Sequence, residues 1–360
     1  MEPRECGDGA PLCAAVSDVI SGISIGWNLG NSYDCHGTWF DNVRTETAWG
    51  NPLVTRDFVH FVAGLGFTAM RIPVTWYPHM DEDGTIDGEW LRRVRRVVRM
   101  VIAEGMVCIL DMKHDTGGMR SYGGGWIRAT KANFAQYRER VETMVRQVAE
   151  YFSQESDRLI LSGFDDIMNE ECETEMPSAE ELEVVNDWNR LFVTTVRSTG
   201  GGNATRNLIV SPYGSGVGPY ILSGFRLPED SVPGHLAVGV NLYVPQGFTS
   251  RAATWSRQTV EFDCRCEEEL ERAFTTLDEL SAQVGVPVIV GEFGAMDRAN
   301  DDARAIYAAS VVDKARRRGI PCFVWDDGKG YGLLNRDSRT IRFPGIIGAM
   351  KAAATMARES

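Results

Sequence analysis

The stretch Val286–Ala295, VPVIVGEFGA, decides the fold. Val286, Val288, Ile289 and Val290 make an almost unbroken apolar run, which suits a parallel strand covered on both faces, because a strand with one wet face alternates. A carboxylate at its end needs a reason. Gly291 and Gly294 bracket that residue, Glu292, and remove side chains where a ligand or backbone must come close. A second run, Arg158–Glu170 (RLILSGFDDIMNE), also finishes on a carboxylate, Glu170, preceded by Asn169. Two glutamates brought to one rim by different strands are what glycosidic-bond hydrolysis requires, one as nucleophile and one as proton donor. The bland alternative is that each is a helix N-cap companion or a solvated loop end.

Working outward from these two strands, the chain reads as a repeating unit. Ile20–Trp27 enters as a short apolar strand, and Thr55 caps a helix running to about Gly64. Phe67–Pro73 is the next strand, followed by a helix over Asp87–Glu104 whose Trp90, Leu91, Val94, Val97, Val98 and Val101 recur at helical spacing. Then come strand Met106–Met112, helix Lys131–Phe152, strand Leu159–Met168 and helix Ala179–Val196, with Ser178 and Glu181 placed for a capping box. After strand Leu208–Pro212 a glycine-rich loop, Ser215–Gly224, stands in place of a long helix. The series ends with strand Leu236–Tyr243, helix Glu267–Val284, strand Val286–Glu292, helix Asp301–Arg318, strand Ile320–Trp325 and helix Phe343–Thr355. Eight strands in strict alternation with helices favour an α/β fold of the (β/α)8 TIM-barrel type over an open doubly wound sheet. Residues 1–16 form a lead-in, and residues 17–356 form a single barrel domain.

Composition narrows the function. With 43% hydrophobic and 24% charged residues the chain is globular, and its net charge of −13 disfavours nucleic acid or an anionic membrane as partner. The start, MEPRECGDGAPLC, lacks a secretory signal, and no apolar run is long enough to span a membrane, so a soluble chain, expected to be a monomer, is the reading. Eight cysteines are too sparse for a disulfide-built fold. Cys108 and Cys322 read as buried thiols, a local Cys6–Cys13 bridge is open, and Cys264 and Cys266 have no second pair at zinc spacing. With five histidines, no zincin spacing and no glycine-rich dinucleotide fingerprint, neither a metal nor a cofactor is expected.

Barrel enzymes gather their chemistry at the C-terminal ends of the strands. Those ends here carry Asn28, Arg71, Lys113 with His114, Asn169 with Glu170, Asn241 with Tyr243, Glu292, and Trp325 with Asp326. In this arrangement Arg71 and Tyr243 hold Glu292 ionised for attack, while Glu170 carries the proton for the leaving group. Asn169 offers its amide to a sugar hydroxyl, and Trp325 forms an apolar floor or else is a core tryptophan. Trp39, Trp49, Trp76, Trp126 and Trp255 either line a carbohydrate groove or serve the core.

The segments GWNLGNSYD, ETAWGNP, GFTAMRIPVTW, ILDMKHD, MNE, NLYVP, VGEFGA and FVWDDG, spread from residue 26 to residue 328, resemble glycoside hydrolase family 5, particularly its bacterial endo-β-1,4-glucanase and xyloglucanase-like members. The resemblance implies a retaining enzyme acting on β-1,4-linked glucan-type polysaccharides outside the cell without a metal, with Glu170 as acid/base and Glu292 as nucleophile. It also implies Arg71 and Tyr243 as holders of the nucleophile, Asn169 as a contact of the sugar 2-hydroxyl, and Trp325 as the sugar platform. Two positions depart from that pattern, because Lys113 and Asn241 stand where the family usually has histidine. Lys113 can reach a sugar hydroxyl, or it can favour the ionised form of Glu170 and weaken it as a donor. His114 beside it points elsewhere, since adjacent strand residues face opposite sides. A catalytically weakened member that binds β-glycans is therefore the alternative.

Overall fold

The computed structural model describes residues 14–36, 45–116, 125–169, 176–250 and 257–356. Eight parallel strands close into one barrel in the order β1 to β8: Gly26–Leu29, Ala69–Val74, Val107–Met112, Leu159–Phe164, Leu208–Val210, Leu236–Leu242, Val288–Phe293 and Cys322–Asp326. Closure is made by β1, which pairs with β2 on one side and β8 on the other. The strict alternation in the sequence is thus realised as a (β/α)8 barrel.

Each strand buries both faces, and the two faces have different partners. The outward residues, among them Met70, Ile72, Val74, Cys108, Leu110 and Val240, join the helices in the larger hydrophobic cluster. The helix Gly88–Ala103 supplies Trp90, Leu91, Val94, Val97, Val98 and Val101 to that layer, all buried and all on its apolar face. Each such side chain contributes roughly 1.5–3 kcal/mol of burial. Thr55 caps Arg56–Gly64 by accepting from the Phe58 N–H, and the Ser178–Glu181 capping box opens Ala179–Ser198.

The inward residues of the lower barrel form a second cluster: Ala69, Val107, Ile109, Ile160, Ile209, Ala237, Ile289 and Phe323. This layer is closed from below by a helix, Val16–Ser21, through Val16 and Ile20. Ile20 is therefore helical, and the first strand begins only at Gly26, a correction to the strand expected over Ile20–Trp27. The apolar run was divided by Gly22, which caps the helix, and by the turn that follows. Gly26 cannot be larger, because a Cβ there would lie 2.0 Å from the Phe323 ring.

Smaller differences follow local chemistry. β4 stops at Phe164, short of Met168, and the helix expected from Glu267 begins at Cys264 because Asp263 accepts from the Arg265 and Cys266 N–H groups. The glycine-rich loop holds a six-residue helix, Pro219–Gly224. Cys108 and Cys322 are buried free thiols, while Cys6 and Cys13 lie outside the described residues. No described helix is long and apolar enough to cross a membrane.

Candidate active site

Register slips in three of the barrel's strand pairings aim the site. Counting by twos from inward-facing Ile289 turns Gly291 inward, where a Cβ would lie 3.8 Å from Arg71 Nε, and slips in the pairing of β7 with β6 and β8 bring Glu292 in beside it, paired with Asn241. Pairing between β3 and β4 likewise slips after Asp111, and Asp165 turns into the barrel beyond Ser162. Charged side chains from non-adjacent strands consequently meet at one level.

Glu292, 3% exposed, is held at both oxygens. Its Oε1 accepts from Arg71 Nη1 at 2.7 Å and from Lys113 Nζ at 2.5 Å, and its Oε2 accepts from Tyr243 Oη at 2.9 Å. A carboxylate has about four lone-pair sites, so Oε1 is saturated and one site is left on Oε2. Arg71 also donates through Nη1 to Asn28 Oδ1 and through Nη2 to Asp111, at 2.7 Å, and to Asp165. Asn28 spends its own amide hydrogens on the carbonyls of Gly291, Phe323 and Val324. Arg71 and Asn28 are buried and turned to protein partners, so they position the carboxylate and leave no face for a ligand.

Lys113 is the second hub. Its three ammonium hydrogens reach Asp165 Oδ2 at 2.7 Å, Asp166 Oδ2 at 3.0 Å and Glu292 Oε1 at 2.5 Å. An ammonium has three donors, and all three lie on carboxylates here. Asn241 donates its amide to Asp165 at 2.9 Å and Asp166 at 3.2 Å. Ser215 Oγ donates to Asp165 as well.

Four carboxylates, Asp111, Asp165, Asp166 and Glu292, thus face two cations, Arg71 and Lys113. The surplus of negative charge divides them. Burial opposes ionisation of Asp165, yet Lys113 and Arg71 outweigh it and hold this carboxyl well below the usual range. Burial pushes Asp111 up to about 7 against the pull of Arg71. Burial, followed by the charge of Asp165, pushes Asp166 up to about 6, a rise moderated by Lys113. Burial would lower Arg71 and Lys113, but the surrounding carboxylates raise both well above their ordinary values. Tyr243 is raised by burial and by Glu292, which keeps its hydroxyl a donor.

The remaining predicted residues fall around this core. Trp325, 8% exposed, has the Lys113 ammonium 5.4 Å from its ring centroid and packs on Gly30, where a Cβ would come within 2.7 Å of the indole. His114 turns away from the carboxylates, with Nε2 3.7 Å from Asp34 Oδ2 and its ring beside His36 and Trp49. Asn169 donates one amide hydrogen to Glu181 Oε1 at 2.7 Å, and its N–H donates to Tyr213 Oη. Glu170, Trp39 and Trp255 lie outside the described residues. Trp76 is wholly buried and belongs to the core, while Trp49 and Trp126 are half-buried. Asp111, Asp165 and Asp166 were not singled out from the sequence. The signal was there in ILDMK, where Asp111 and Lys113 follow Ile109 at two-residue spacing on one strand face.

The family model for cellulase (glycosyl hydrolase family 5) matches residues 33–330. Endoglucanase B of Neocallimastix patriciarum is 30% identical over 354 residues, which take in 92% of this chain and 70% of that protein. Endoglucanase A of Clostridium longisporum is 29% identical, over 93% of this chain and 65% of its own length, so the chain spans about two thirds of these two relatives. Among solved structures, a broad-specificity endoglucanase from Ruminococcus champanellensis with bound cellotriose superposes with a TM-score of 0.86 at 31% identity, covering 94% of this chain and 98% of the other.

Proposed function

Because the chain belongs to glycosyl hydrolase family 5, the cellulases, we propose that it hydrolyses β-1,4-linked glucan-type polysaccharides by a retaining double displacement. The observation that carries the reading is the state of Glu292: a carboxylate at the C-terminal end of β7, fixed by Arg71, Lys113 and Tyr243, with one lone pair of Oε2 left for an anomeric carbon. Glu292 attacks through Oε2 and forms a glycosyl-enzyme ester while Glu170 protonates the departing sugar oxygen. Glu170 then takes a proton from water, which attacks the ester and releases Glu292. Tyr243 keeps hold of the carboxylate as its charge is spent and returned. Trp325 lies beneath the sugar next to the cleaved bond, and Asn169 meets a sugar hydroxyl. The bound cellotriose of the Ruminococcus champanellensis structure supports a β-1,4-glucan as ligand. A polysaccharide substrate, too large to enter a cell, favours secretion.

The test is reducing-sugar release from barley β-glucan, carboxymethylcellulose, xyloglucan, xylan and mannan across pH, beside Glu292→Gln and Glu170→Gln. Release on at least one glucan, cut at least roughly a thousandfold by Glu292→Gln, is expected. Release that survives Glu292→Gln, or none on any of the polymers, overturns the reading. The second reading, a weakened member that binds without turnover, is favoured by the Lys113 ammonium on the nucleophile's Oε1. In that case oligosaccharide binds and emerges uncut.

A further inference from the structure

Asp166 is unlike the other carboxylates of the network. It is the one that reaches water, with 31% of its side chain exposed, against 1%, 3% and 4% for Asp111, Asp165 and Glu292. It is also brought there by an unusual backbone. Neighbouring residues in extended chain aim in opposite directions, yet Asp165 and Asp166 both meet Lys113 and Asn241. A φ of 55° at Asp166, in the left-handed region, makes that convergence possible, anchored by its N–H to Ser215 Oγ at 3.1 Å. The longest of the three Lys113 bonds goes to Asp166 and the shortest to Glu292. One ammonium is thus shared between the proposed nucleophile and a carboxylate open to solvent.

We propose that Asp166 is a positioning residue for the reaction of Glu292, acting through Lys113: its negative charge draws the ammonium off Oε1, and its neutral form leaves the ammonium clamped there. This rests on Glu292 being the nucleophile. A carboxylate oxygen bonded to two cations has its electron density committed, and attack at the anomeric carbon costs more while both are held. With Asp166 ionised, Lys113 is pulled by carboxylates on two sides and the share of Glu292 falls. With Asp166 neutral, Asp165 and Glu292 alone compete for it. The charge of Asp166 changes in a physiological range, since its carboxyl sits at about 6. The groups facing it are Lys113 after β3, Asp165 on its own loop, Ser215 after β5, Asn241 and Tyr243 from the β6 end, and Glu292 from β7. Asp111, at about 7, also titrates in the network, and Asp166→Glu, which keeps the charge at 166, controls for its share.

The experiment measures dinitrophenolate release from 2,4-dinitrophenyl β-cellobioside by wild type, Asp166→Asn and Asp166→Glu between pH 5 and 8. This leaving group departs without a proton donor, which removes Glu170 from the first step. Asp166→Asn is a permanent mimic of the neutral form. Its rate is expected to match wild type within about twofold at pH 5 and to be about tenfold lower at pH 8, while Asp166→Glu keeps the wild-type rise with pH. Damage to folding or packing lowers the rate by one factor at every pH. A variant-to-wild-type ratio that does not change with pH, or an Asp166→Glu protein with the flat profile of Asp166→Asn, overturns the proposal. Glu292→Gln run alongside separates the two readings, because release that persists without Glu292 removes the nucleophile assignment itself.

Discussion

The inside of this barrel is two different materials on the same strands. Below, the inward positions are Ala69, Ile109, Ile160, Ile209, Ala237 and Ile289, closed off by Phe323 and the helix Val16–Ser21. Two residues further along the same strands stand Arg71, Asp111, Ser162, Ser211 and Gly239, and beyond them Lys113 and Asn241. The lower layer is tightly packed hydrocarbon that stabilises the fold through burial. The upper layer holds more carboxylates than cations, which is electrostatically costly and has no use for folding. The difference teaches where selection for stability ends and selection for chemistry begins, and it does so within a single pleat.

The largest expected break in that division is Lys113→Met. It fits the volume but leaves Asp165, Asp166 and Glu292 facing each other with Arg71 alone, and removing one partner of a buried ionic cluster costs roughly 3–5 kcal/mol. The loss should be greatest at pH 8 and smaller at pH 5, where Asp166 and Asp111 take up protons. Thermal unfolding at the two pH values measures it, and an unchanged midpoint would mean that the ammonium is not holding the upper layer together.

The lower layer should fail in the opposite way. Ile289→Ala removes a wholly buried side chain three residues before Glu292 and is expected to cost about 3 kcal/mol in denaturant unfolding, at every pH, with kcat per folded molecule preserved. A kcat loss larger than severalfold would show that the two layers are mechanically coupled.

How much of this was written in the chain differs between the layers for a physical reason. The apolar layer follows from periodicity, so VPVIV and VCIL announce buried parallel strands, and the barrel and most helices follow from their alternation. Arg71, Tyr243 and Glu292 were also legible, because a charge at the end of a buried strand has to be explained. What the chain could not display is the cross-barrel partner. Lys113 reads as a residue free to reach a sugar until Asp165, Asp166 and Glu292 are seen around it. The slips beside Asn241 and Asp111 bring residues inward off the two-residue count, and nothing in the spacing marks them. Nor does the letter D at position 166 reveal a left-handed backbone. Trp76 carries the same ambiguity in reverse, an aromatic near a strand end that proves wholly buried.

The smallest prediction is also the cleanest probe of the boundary between the layers. Asp111 sits directly above Ile109, 1% exposed, bonded to Arg71, with its carboxyl raised to about 7 by burial. A carboxyl raised in the folded state binds its proton more tightly there than in the unfolded chain, where it titrates near 4. Its contribution therefore favours the fold at low pH and is lost as pH climbs from about 4 through about 7. Asp111→Asn keeps an oxygen for Arg71 and removes the charge, so it should stabilise the protein at pH 8 by on the order of 1 kcal/mol and change little at pH 5. Unfolding midpoints of both proteins across that range test the sign. If the variant is instead less stable than wild type by the same amount at pH 5 and pH 8, Asp111 is ionised against Arg71 throughout, and the charged layer reaches one residue deeper into the barrel than its protonation implies.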